Sequence, residues 1–434
     1  MERLSALLRR LVVLEPDEAP AVLASFAMLF CTFAGYTMLR PIRETMGITS
    51  GVENLPYLFW GTFVAMLLAQ PAYGWLTSRF RRTLFLPLVY LFFTANILAF
   101  YIWFHAQQDH VWIARAYYVW VSVFSFFIVA VFWSFMADVY TREQAGRLFG
   151  FIVAGASTGG LVGPFIAGRL AVPLGTINLL PIAAVLLTSS LIFMAFVMRW
   201  QRRFGSTTRG EEADRPLGGG VLAAFQQLVR SPYLLGISLF VVLLSWATTF
   251  LYLEQQAMVA RVFATSNERT RFFSNFDFWV NASSLLTQAF IFARLFKSIG
   301  LRAMLAAVPL LMMTGYALYA LLPTFAVLVV VLAVRRVGEY AITRPSRDSL
   351  YTVVSREEKY KAKSLIDTFV YRGGDVTSAS LHKLLVEKFG FGAPGIGWFG
   401  AVISALWLML ALALGRAQEQ RRPVTAPGIS APAR

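Results

Sequence analysis

The sequence has few of the residues on which most enzymes and metal sites depend. It contains one cysteine, Cys31, and three histidines, His105, His110 and His382. One cysteine cannot build a disulfide framework or a cysteine-based metal site. Neither a Gly-x-x-x-x-Gly-Lys-[Ser/Thr] loop nor an Asp-x-Asp pair occurs. These absences argue against an enzyme such as a membrane acyl- or glycosyl-transferase, and we expect no catalytic residue, no cofactor and no metal.

Charged residues are also scarce, at 14% against 57% hydrophobic, with a mean hydropathy of +0.61. A soluble globular chain does not approach this balance. Because each span needs roughly 20 apolar residues, we predict an all-α membrane protein with about twelve transmembrane helices. Their predicted positions are 20–46, 55–77, 82–106, 112–137, 147–171, 178–199, 233–256, 272–297, 301–322, 324–350, 362–385 and 393–416.

The net charge of +16 follows from membrane topology. Lysine and arginine fall in every second loop, which is the positive-inside pattern, whereas a nucleic-acid-binding protein would cluster them on one surface. The opposite loops are short and poor in cations, apart from 259–271. We therefore expect an integral protein of the bacterial inner membrane with both termini in the cytoplasm, and no nucleic-acid partner. The N-terminal residues 1–19 are expected to form a cytoplasmic amphipathic segment.

The one long polar insertion, 200–232, is predicted to be a cytoplasmic loop between two halves of six helices each, 20–199 and 233–416, with a cytoplasmic tail at 417–434. This layout resembles the major facilitator superfamily, whose halves are related by an axis along the membrane normal. The stretch "GWLTSRFRR" (74–82) resembles that superfamily's signature between spans 2 and 3, although Ser78 stands where an aspartate is usual. Arg79 and Arg82 are expected to lie at a cytoplasmic gate or simply to orient the chain.

Span 5 contains four small or helix-bending residues in "GASTGGLVGPFIAG" (155–168), namely Gly159, Gly163, Pro164 and Gly168. Small residues four apart let two membrane helices touch along their backbones. The stretch resembles the Gly-x-x-x-Gly-Pro motif of facilitator antiporters. Helix packing and a role in closing an exchanger are both compatible with it.

Charged residues inside the predicted spans point most directly to function, because each central charge costs roughly 2.5–3.5 kcal/mol to insert. In span 1, Arg40, Arg43 and Glu44 share one helix face, and Pro41 is expected to break the helix and turn the arginines inward. The other candidates for binding substrate are Tyr36, Glu254, Asp277, Arg336, Glu339, Asp367, Arg372 and Asp375. Those expected at cytoplasmic gates are Asp138, Arg344, Arg347 and Asp348.

Two interpretations of these charges remain open. They could be internal salt bridges that close gates without touching a ligand. Alternatively, they could line a cationic site for an anion, because arginine pairs phosphate or carboxylate with two parallel hydrogen bonds. Tyr36, Tyr340, Tyr371 and Phe272 could stack on a ligand ring, although aromatic residues more often serve packing.

Five stretches, in chain order, resemble the ATP:ADP antiporter family of plastids and intracellular bacteria. They are "LRPIRE" (39–44), "FWSFMA" (132–137), "FFSNFDFW" (272–279), "EYAITRPSRD" (339–348) and "KAKSLID" (361–367). The resemblance covers most of 36–380 and places Arg43 at the position of a substrate-linked lysine. It implies a carrier that holds a nucleotide between its six-helix halves near the midplane.

The chain departs from that family at two cations. Asp375 and Met258 stand where the family carries lysines, which should weaken a polyphosphate site by several kcal/mol. We therefore expect a secondary transporter that exchanges an anionic or nucleotide-like solute by alternating access. A proton-coupled exporter of another small organic molecule, with protons as the coupling ion, and a non-transporting partner protein of the same fold remain the alternatives.

Overall fold

The computed structural model describes residues 14–15, 17–79, 82–107, 109–204, 225, 228–355, 362–363 and 365–421. Most of the predicted N-terminal segment, the central part of the 200–232 loop and the end of the tail lie outside these residues. Within them the secondary structure is helical and no strand occurs. The predicted all-α fold is therefore confirmed.

The helices follow the predicted spans one after another. The first seven are α1 (Ala19–Thr49), α2 (Leu55–Arg79), α3 (Arg82–Ala106), α4 (Val111–Val139), α5 (Arg142–Leu174), α6 (Leu179–Phe204) and α7 (Pro232–Val262). Helix α8 starts as Ser266–Leu286 and passes through a π-helical turn, Thr287–Phe292. The next segment, Ala293–Leu321, leaves helical geometry at Gly300 (φ 73°, ψ 173°). Only glycine adopts that conformation readily, so α8 ends there and α9 is 301–321.

Helices α10 and α11 are each interrupted by a π-helical turn. Helix α10 consists of Phe325–Gly338, the π turn Glu339–Thr343 and Arg344–Leu350. Helix α11 consists of the π turn Ile366–Val370 and Tyr371–Phe389, and the chain ends with α12 (Ala393–Arg421). Such π turns are rare and occur frequently at functional sites.

Nine helical stretches of the described residues are long and apolar enough to cross a membrane. One of them, Ser266–Leu321, contains both α8 and α9. Helices α10 and α11 are not among the nine because charged side chains interrupt their apolar runs. The set is consistent with the predicted twelve spans.

Several helices extend beyond the predicted spans because polar caps, rather than apolar runs, set their ends. Helix α5 starts at Arg142, where Thr141 and Gln144 form a reciprocal capping box. Thr265 and Glu268 exchange the same pair of hydrogen bonds at the start of α8. The predicted loop at 259–271 is therefore mostly helical, with only 263–265 between α7 and α8.

The predicted break at Pro41 is wrong. Helix α1 runs without interruption from Ala19 to Thr49. A proline removes a single backbone donor, and neighbouring groups can satisfy the freed carbonyl in a membrane helix. The charged end of α1 is thus a continuous helical face.

The backbone divides into two compact units. The first contains the described parts of Met1–Asp214, Leu251–Leu285 and Ala379–Phe389. The second contains those of Arg215–Phe250, Leu286–Ser378 and Gly390–Arg434. The far end of α7, most of α8 as far as Leu285 and the end of α11 therefore belong to the unit that holds α1–α6.

Within the first unit, α1 and α5 touch along their backbones at a row of glycines. A Cβ on Gly159 would meet the carbonyl oxygen of Phe30, and one on Gly163 would meet that of Ala34. Pro164 lies inside the continuous α5 helix, and a Cβ on Gly168 would meet Asn275 of α8. The spacing of small residues allows this close approach.

A polar contact anchors the start of α1. The Glu18 side chain is buried and accepts hydrogen bonds from Gln144 Nε2 at 2.8 Å and Arg147 Nη2 at 3.1 Å, both from α5. Burial alone would raise the pKa of Glu18, but the hydrogen bonds from the Glu15 backbone, Gln144 and Arg147 bring that pKa below its ordinary value. This contact holds the N-terminal end of α1 against α5.

Candidate functional site

Glu44, on the charged face of α1, is the centre of a buried polar group. Its Oε1 accepts from Arg43 Nη2 at 2.6 Å, and its Oε2 accepts from Tyr252 OH at 2.6 Å and Gln256 Nε2 at 2.9 Å. Tyr252 and Gln256 lie one turn apart on α7, so both reach the same carboxylate. We call Arg43, Glu44, Tyr252 and Gln256 the Glu44 cluster. It joins the C-terminal part of α1 to the far part of α7.

Helix α4 adds two contacts to this cluster. Tyr118 OH lies 2.9 Å from Tyr252 OH, and the Arg43 guanidinium lies 4.8 Å from the centre of the Tyr118 ring. Arg43 Nη1 also donates to Ser122 Oγ at 3.2 Å. Arg43 and Glu44, both predicted to bind substrate, are therefore engaged mainly with each other and with α4 and α7.

The other predicted residues of α1, Arg40 and Tyr36, lie nearer to its N-terminus than Arg43. Arg40 Nε is 3.7 Å from Asp277 Oδ2 of α8, which brings together two residues predicted separately. The ring of Tyr36 packs against Phe33 and Phe124, with ring centres 6.3 Å apart in each pair. Tyr36 thus contributes to packing, and Arg40 joins α1 to α8.

Glu254, the predicted acid of α7, contacts His382 of α11. Glu254 Oε1 and His382 Nε2 are 3.1 Å apart, and each side chain is only 13% exposed. Both residues belong to the first compact unit.

The second unit contains a separate buried group around Glu339, at the π turn of α10. Glu339 Oε2 is 2.7 Å from Arg335 Nη1, and its Oε1 is 3.6 Å from Arg344 Nη2. Arg335 Nη1 also donates to Thr248 Oγ1 of α7 at 3.0 Å. We call Arg335, Glu339, Arg344 and Thr248 the Glu339 cluster.

Arg336 and Arg344 both approach the ring of Tyr340. The distances from their guanidinium carbons to the ring centre are 5.9 Å and 4.7 Å. Arg336 is buried, whereas the Arg344 side chain is 57% exposed. Tyr340 therefore contacts two arginine side chains of its own helix.

Two predicted gate residues of α10, Arg347 and Asp348, form further ion pairs with Asp367 of α11 and with Lys363, which precedes α11. Arg347 Nη2 is 2.9 Å from Asp367 Oδ1, and Asp348 Oδ1 is 2.8 Å from Lys363 Nζ. The sequence assigned Arg347 to a gate and Asp367 to a substrate site, but the two form one pair. The predicted division between gating and binding residues is therefore not visible here.

Asp375 lies in a buried polar pocket made by its own helix and α7. Its Oδ1 accepts from Ser245 Oγ at 2.6 Å and Thr249 Oγ1 at 3.4 Å. Its Oδ2 lies 3.3 Å from Arg372 Nη1. The Asp375 carboxylate is thus surrounded by donors.

The remaining predicted gate residues lie at helix ends. Arg79 is exposed at the end of α2, and Asp138 is exposed near the end of α4, where its backbone carbonyl accepts from Gln201 Nε2 at 2.6 Å. Arg82 begins α3, but its side chain lies outside the described part of the structure.

Sequence reasoning missed the polar residues of α7. The stretch "TTFLYLEQQ" (248–256) drew attention only to Glu254, yet Thr248, Thr249, Tyr252 and Gln256 all hold charged side chains of other helices. The sequence could have indicated these residues, because six polar side chains in nine residues of a membrane span are unusual. Within the described residues, no group of three or more histidine, cysteine, aspartate or glutamate side chains is placed to hold a metal ion.

A match to a protein-family profile identifies the superfamily of this chain. The sequence profile described as the Major Facilitator Superfamily matches residues 21–342, more than half of the 434 residues. The chain belongs to the major facilitator superfamily. It is therefore an integral membrane transport protein by family, and the resemblance stated from its motifs is confirmed at this level.

Two of the proteins to which the chain is similar are ADP,ATP carrier proteins. The chain is 23% identical to ADP,ATP carrier protein 1 of Chlamydia muridarum, over 86% of this chain and 83% of the relative. It is also 23% identical to ADP,ATP carrier protein 1 of Chlamydia trachomatis, over 92% of this chain and 89% of the relative. The protein is thus a distant relative of ADP,ATP carriers in the superfamily.

Solved structures of transporters share the fold. A bacterial homologue of the iron transporter ferroportin, in an inward-facing state, matches with a TM-score of 0.65 at 12% identity, over 93% of this chain and 98% of that chain. An inward-facing, unoccupied bacterial homologue of the human lysosomal transporter Spinster matches with a TM-score of 0.61 at 15% identity, over 95% of this chain and all of that chain. A POT family transporter in complex with a thioalcohol-conjugated peptide matches with a TM-score of 0.63 at 11% identity, over 92% and 96%. At these identities the likeness concerns the fold alone.

Proposed function

We propose that the protein is a secondary transporter of the bacterial inner membrane that exchanges an anionic or nucleotide-like solute by alternating access. The observation that carries this proposal is the alignment with ADP,ATP carriers across 86–92% of the chain. Both termini are proposed to lie in the cytoplasm, as the positive-inside pattern favours.

The charge balance of the described residues between 325 and 378, from α10 to the first part of α11, supports an anionic solute. They include six cations, Arg335, Arg336, Arg344, Arg347, Lys363 and Arg372, and four acids, Glu339, Asp348, Asp367 and Asp375. The cations thus exceed the acids by two. Arg344 is more than half exposed, so a solute can reach its guanidinium. Arginine binds phosphate or carboxylate through two parallel hydrogen bonds, so this part of the second unit is suited to an anion.

The Glu44 cluster supports exchange rather than free passage. Arg43 can move away from Glu44 without leaving the Glu44 carboxylate unbonded, because Tyr252 and Gln256 still donate hydrogen bonds to it. Arg43, whose side chain is only 22% exposed, however needs another anion when it leaves its carboxylate, since a largely buried charge without a counter-charge is costly. A solute anion supplies that partner, so the cluster releases when solute is bound and stays closed otherwise. This is the behaviour that exchange requires.

The second candidate, proton-coupled export of another small organic molecule, is favoured by Asp375. This acid stands where the related family carries a lysine, and hydroxyl donors of α7 surround it. Such an acid can take up a proton during transport. Flux that follows a pH gradient without any solute on the opposite side would support this candidate.

The first test is a thermal-shift panel on the purified protein with nucleotides, phosphorylated metabolites and organic anions. A ligand that binds the folded state raises the melting temperature by mass action. We expect at least one anion to stabilise the wild type, and Arg43→Ala and Arg336→Ala to lose that shift. Arg416→Ala, an exposed arginine of α12, is the matched control and should keep it. If no anion stabilises the wild type, or if Arg43→Ala and Arg336→Ala both respond as the wild type does, the proposal fails.

A further inference from the structure

The stretch 259–271, which departs from the positive-inside pattern, contains three arginines. Arg269 donates to two backbone carbonyls at the end of α7 and so closes that helix. Arg261 and Arg271 are exposed, and within the described part of the chain neither makes a hydrogen bond or an ion pair. The same holds for Arg169, an exposed arginine near the end of α5. The proposed anion exchange uses none of these charges.

Helix α8 runs antiparallel to α5 along this stretch of the first unit. Three contacts give the register, namely Thr176 with Asn267, Gly168 with Asn275 and Phe165 with Phe278. The first is a hydrogen bond of 2.8 Å from the Thr176 backbone N–H to Asn267 Oδ1, and the last brings two ring centres within 5.7 Å. Successive contacts are eight and three residues apart on both segments, in opposite directions. We call this line of contact the α5–α8 seam.

This register brings Arg169 and Arg271 to the same part of the seam. It places them three residues apart along the helix axes, or about 4.5 Å. Arg169 lies one turn from Phe165, and Arg271 lies one turn from Asn275, so both side chains leave their helices beside the seam. The Arg169 guanidinium carbon is 5.3 Å from the centre of the Phe165 ring. Two cations from two helices therefore flank one short stretch of contact.

The surroundings of the two arginines are suited to the edge of a bilayer. Each arginine lies five residues from the end of its helix, or about 7.5 Å, which is the depth of the lipid headgroups. The exposed side chains along the seam are aromatic, since Phe165 is 46% and Trp279 65% exposed. Glu268, the acid nearest to Arg271 in the sequence, accepts hydrogen bonds from the backbone N–H and the hydroxyl of Thr265. The seam thus combines positive charge with an aromatic rim, as side chains at a membrane interface do.

We propose that Arg169 and Arg271 bind the phosphate of one acidic phospholipid, which holds α5 against α8. Arginine pairs phosphate oxygens through parallel hydrogen bonds, and one phosphodiester can accept from a guanidinium on each side. The negative headgroup complements the two cations, and the acyl chains can pack against the exposed rings of Phe165 and Trp279. A lipid is the occupant because these rings would stay in the bilayer. The inference rests on the proposed function only in that alternating access requires α5 and α8 to part at this end.

Binding can be measured by native mass spectrometry of the full-length protein in detergent, with phosphatidylglycerol and phosphatidylcholine of identical acyl chains as probes. We expect the wild type to bind phosphatidylglycerol more tightly. Replacing both arginines, Arg169→Gln with Arg271→Gln, should weaken that binding about 30-fold, since each basic side chain near an acidic lipid surface contributes about fivefold. Equal affinity of the wild type for the two lipids, or equal affinity of the wild type and the double variant for phosphatidylglycerol, would overturn the proposal.

Two variants and one soluble probe serve as controls. Arg261→Gln removes an exposed arginine of α7 that lies outside the seam, and it should leave the affinity unchanged. Arg169→Lys with Arg271→Lys keeps both charges and should recover most of the binding, which separates loss of charge from loss of fold. Glycerol phosphate carries the same phosphate chemistry without acyl chains. If it displaced phosphatidylglycerol at equal concentration, the ligand would be a free phosphate and the proposal would fail.

The effect on the helices can be followed by electron-spin distance measurements in nanodiscs. Spin labels are attached to cysteines that replace Leu174 at the end of α5 and Val262 at the end of α7, both exposed, in a Cys31→Ser background. Val262 reports on α8 because only 263–265 separate the two helices. A lipid that binds only the joined state, at about ten times its dissociation constant, raises the ratio of joined to separated molecules about tenfold.

We expect this rise when phosphatidylglycerol replaces part of the phosphatidylcholine in the nanodiscs. No change in the wild type, or the same change in Arg169→Gln with Arg271→Gln, would overturn the proposal. The double variant keeps Arg43 and Arg336, so its thermal shifts with anions should equal those of the wild type. Failure of the lipid site is therefore distinguishable from failure of the proposed exchange.

Discussion

Replacing Tyr252 by phenylalanine removes one of the three hydrogen bonds to the Glu44 carboxylate and keeps the ring. The Tyr252 OH to Glu44 Oε2 distance is 2.6 Å, and the acceptor is a buried carboxylate. A hydrogen bond to a charged group contributes about 1.5–3 kcal/mol. If that bond exists only while α1 and α7 are joined, its loss favours their separation by roughly 10- to 150-fold, at 1.4 kcal/mol for each factor of ten.

Separation can be measured as the reaction rate of a buried cysteine. Thr270 on α8 is 0% exposed, and its hydroxyl lies 2.7 Å from that of Thr45 on α1, next to Glu44. A cysteine at Thr270, in a Cys31→Ser background, should stay unreactive until α1 moves away from α7 and α8. We expect Tyr252→Phe to raise its rate of reaction with a water-soluble maleimide about tenfold or more.

The matched control is Tyr101→Phe, because the Tyr101 hydroxyl makes no hydrogen bond within the described part of the chain. It should leave the rate unchanged. An unchanged rate in Tyr252→Phe would refute the idea that the Glu44 cluster holds these helices together.

Three further substitutions test the packing and charge of the fold, each by the melting temperature of the purified protein. Glu18→Gln should lower it near neutral pH. Because folding lowers the pKa of Glu18, its contribution is present above the ordinary glutamate pKa and is lost as the pH falls, so the difference should vanish below about pH 4. Gly159→Ala places a Cβ against the Phe30 carbonyl and should destabilise by about 1–3 kcal/mol, whereas Gly150→Ala meets nothing within 4 Å and should not. Glu339→Gln leaves Arg335 without its carboxylate and should cost about 3–5 kcal/mol. Equal melting temperatures for Gly159→Ala and Gly150→Ala would contradict the packing argument.

The course of the chain through the membrane could be predicted from the sequence because apolar length and loop charge set it directly. The helix ends could not, since they depend on caps such as Thr265 with Glu268, which extend helices into polar sequence. No residue pattern of α10 or α11 predicts their π turns. They became visible only as backbone geometry around Glu339 and Asp367.

For the candidate site, the sequence predicted which charges are costly but not which groups meet them. Arg43 and Glu44 are neighbours, so their pairing needs no tertiary information. Tyr252 and Gln256 lie more than 200 residues further on and are uncharged, so nothing local marks them as partners of Glu44. Likewise, pairing Arg347 with Asp367 requires the positions of two helices. Contacts of this kind follow from the fold and not from residue type.

The exchange assay in liposomes tests the central claim most directly. An anion that stabilises the protein is sealed inside proteoliposomes, and entry of the labelled anion from outside is measured. The proposed exchange predicts rapid entry into loaded vesicles and little entry into empty ones, with Arg43→Ala inactive and Arg416→Ala active. Equal entry into empty and loaded vesicles, or entry driven by a pH gradient alone, would contradict it.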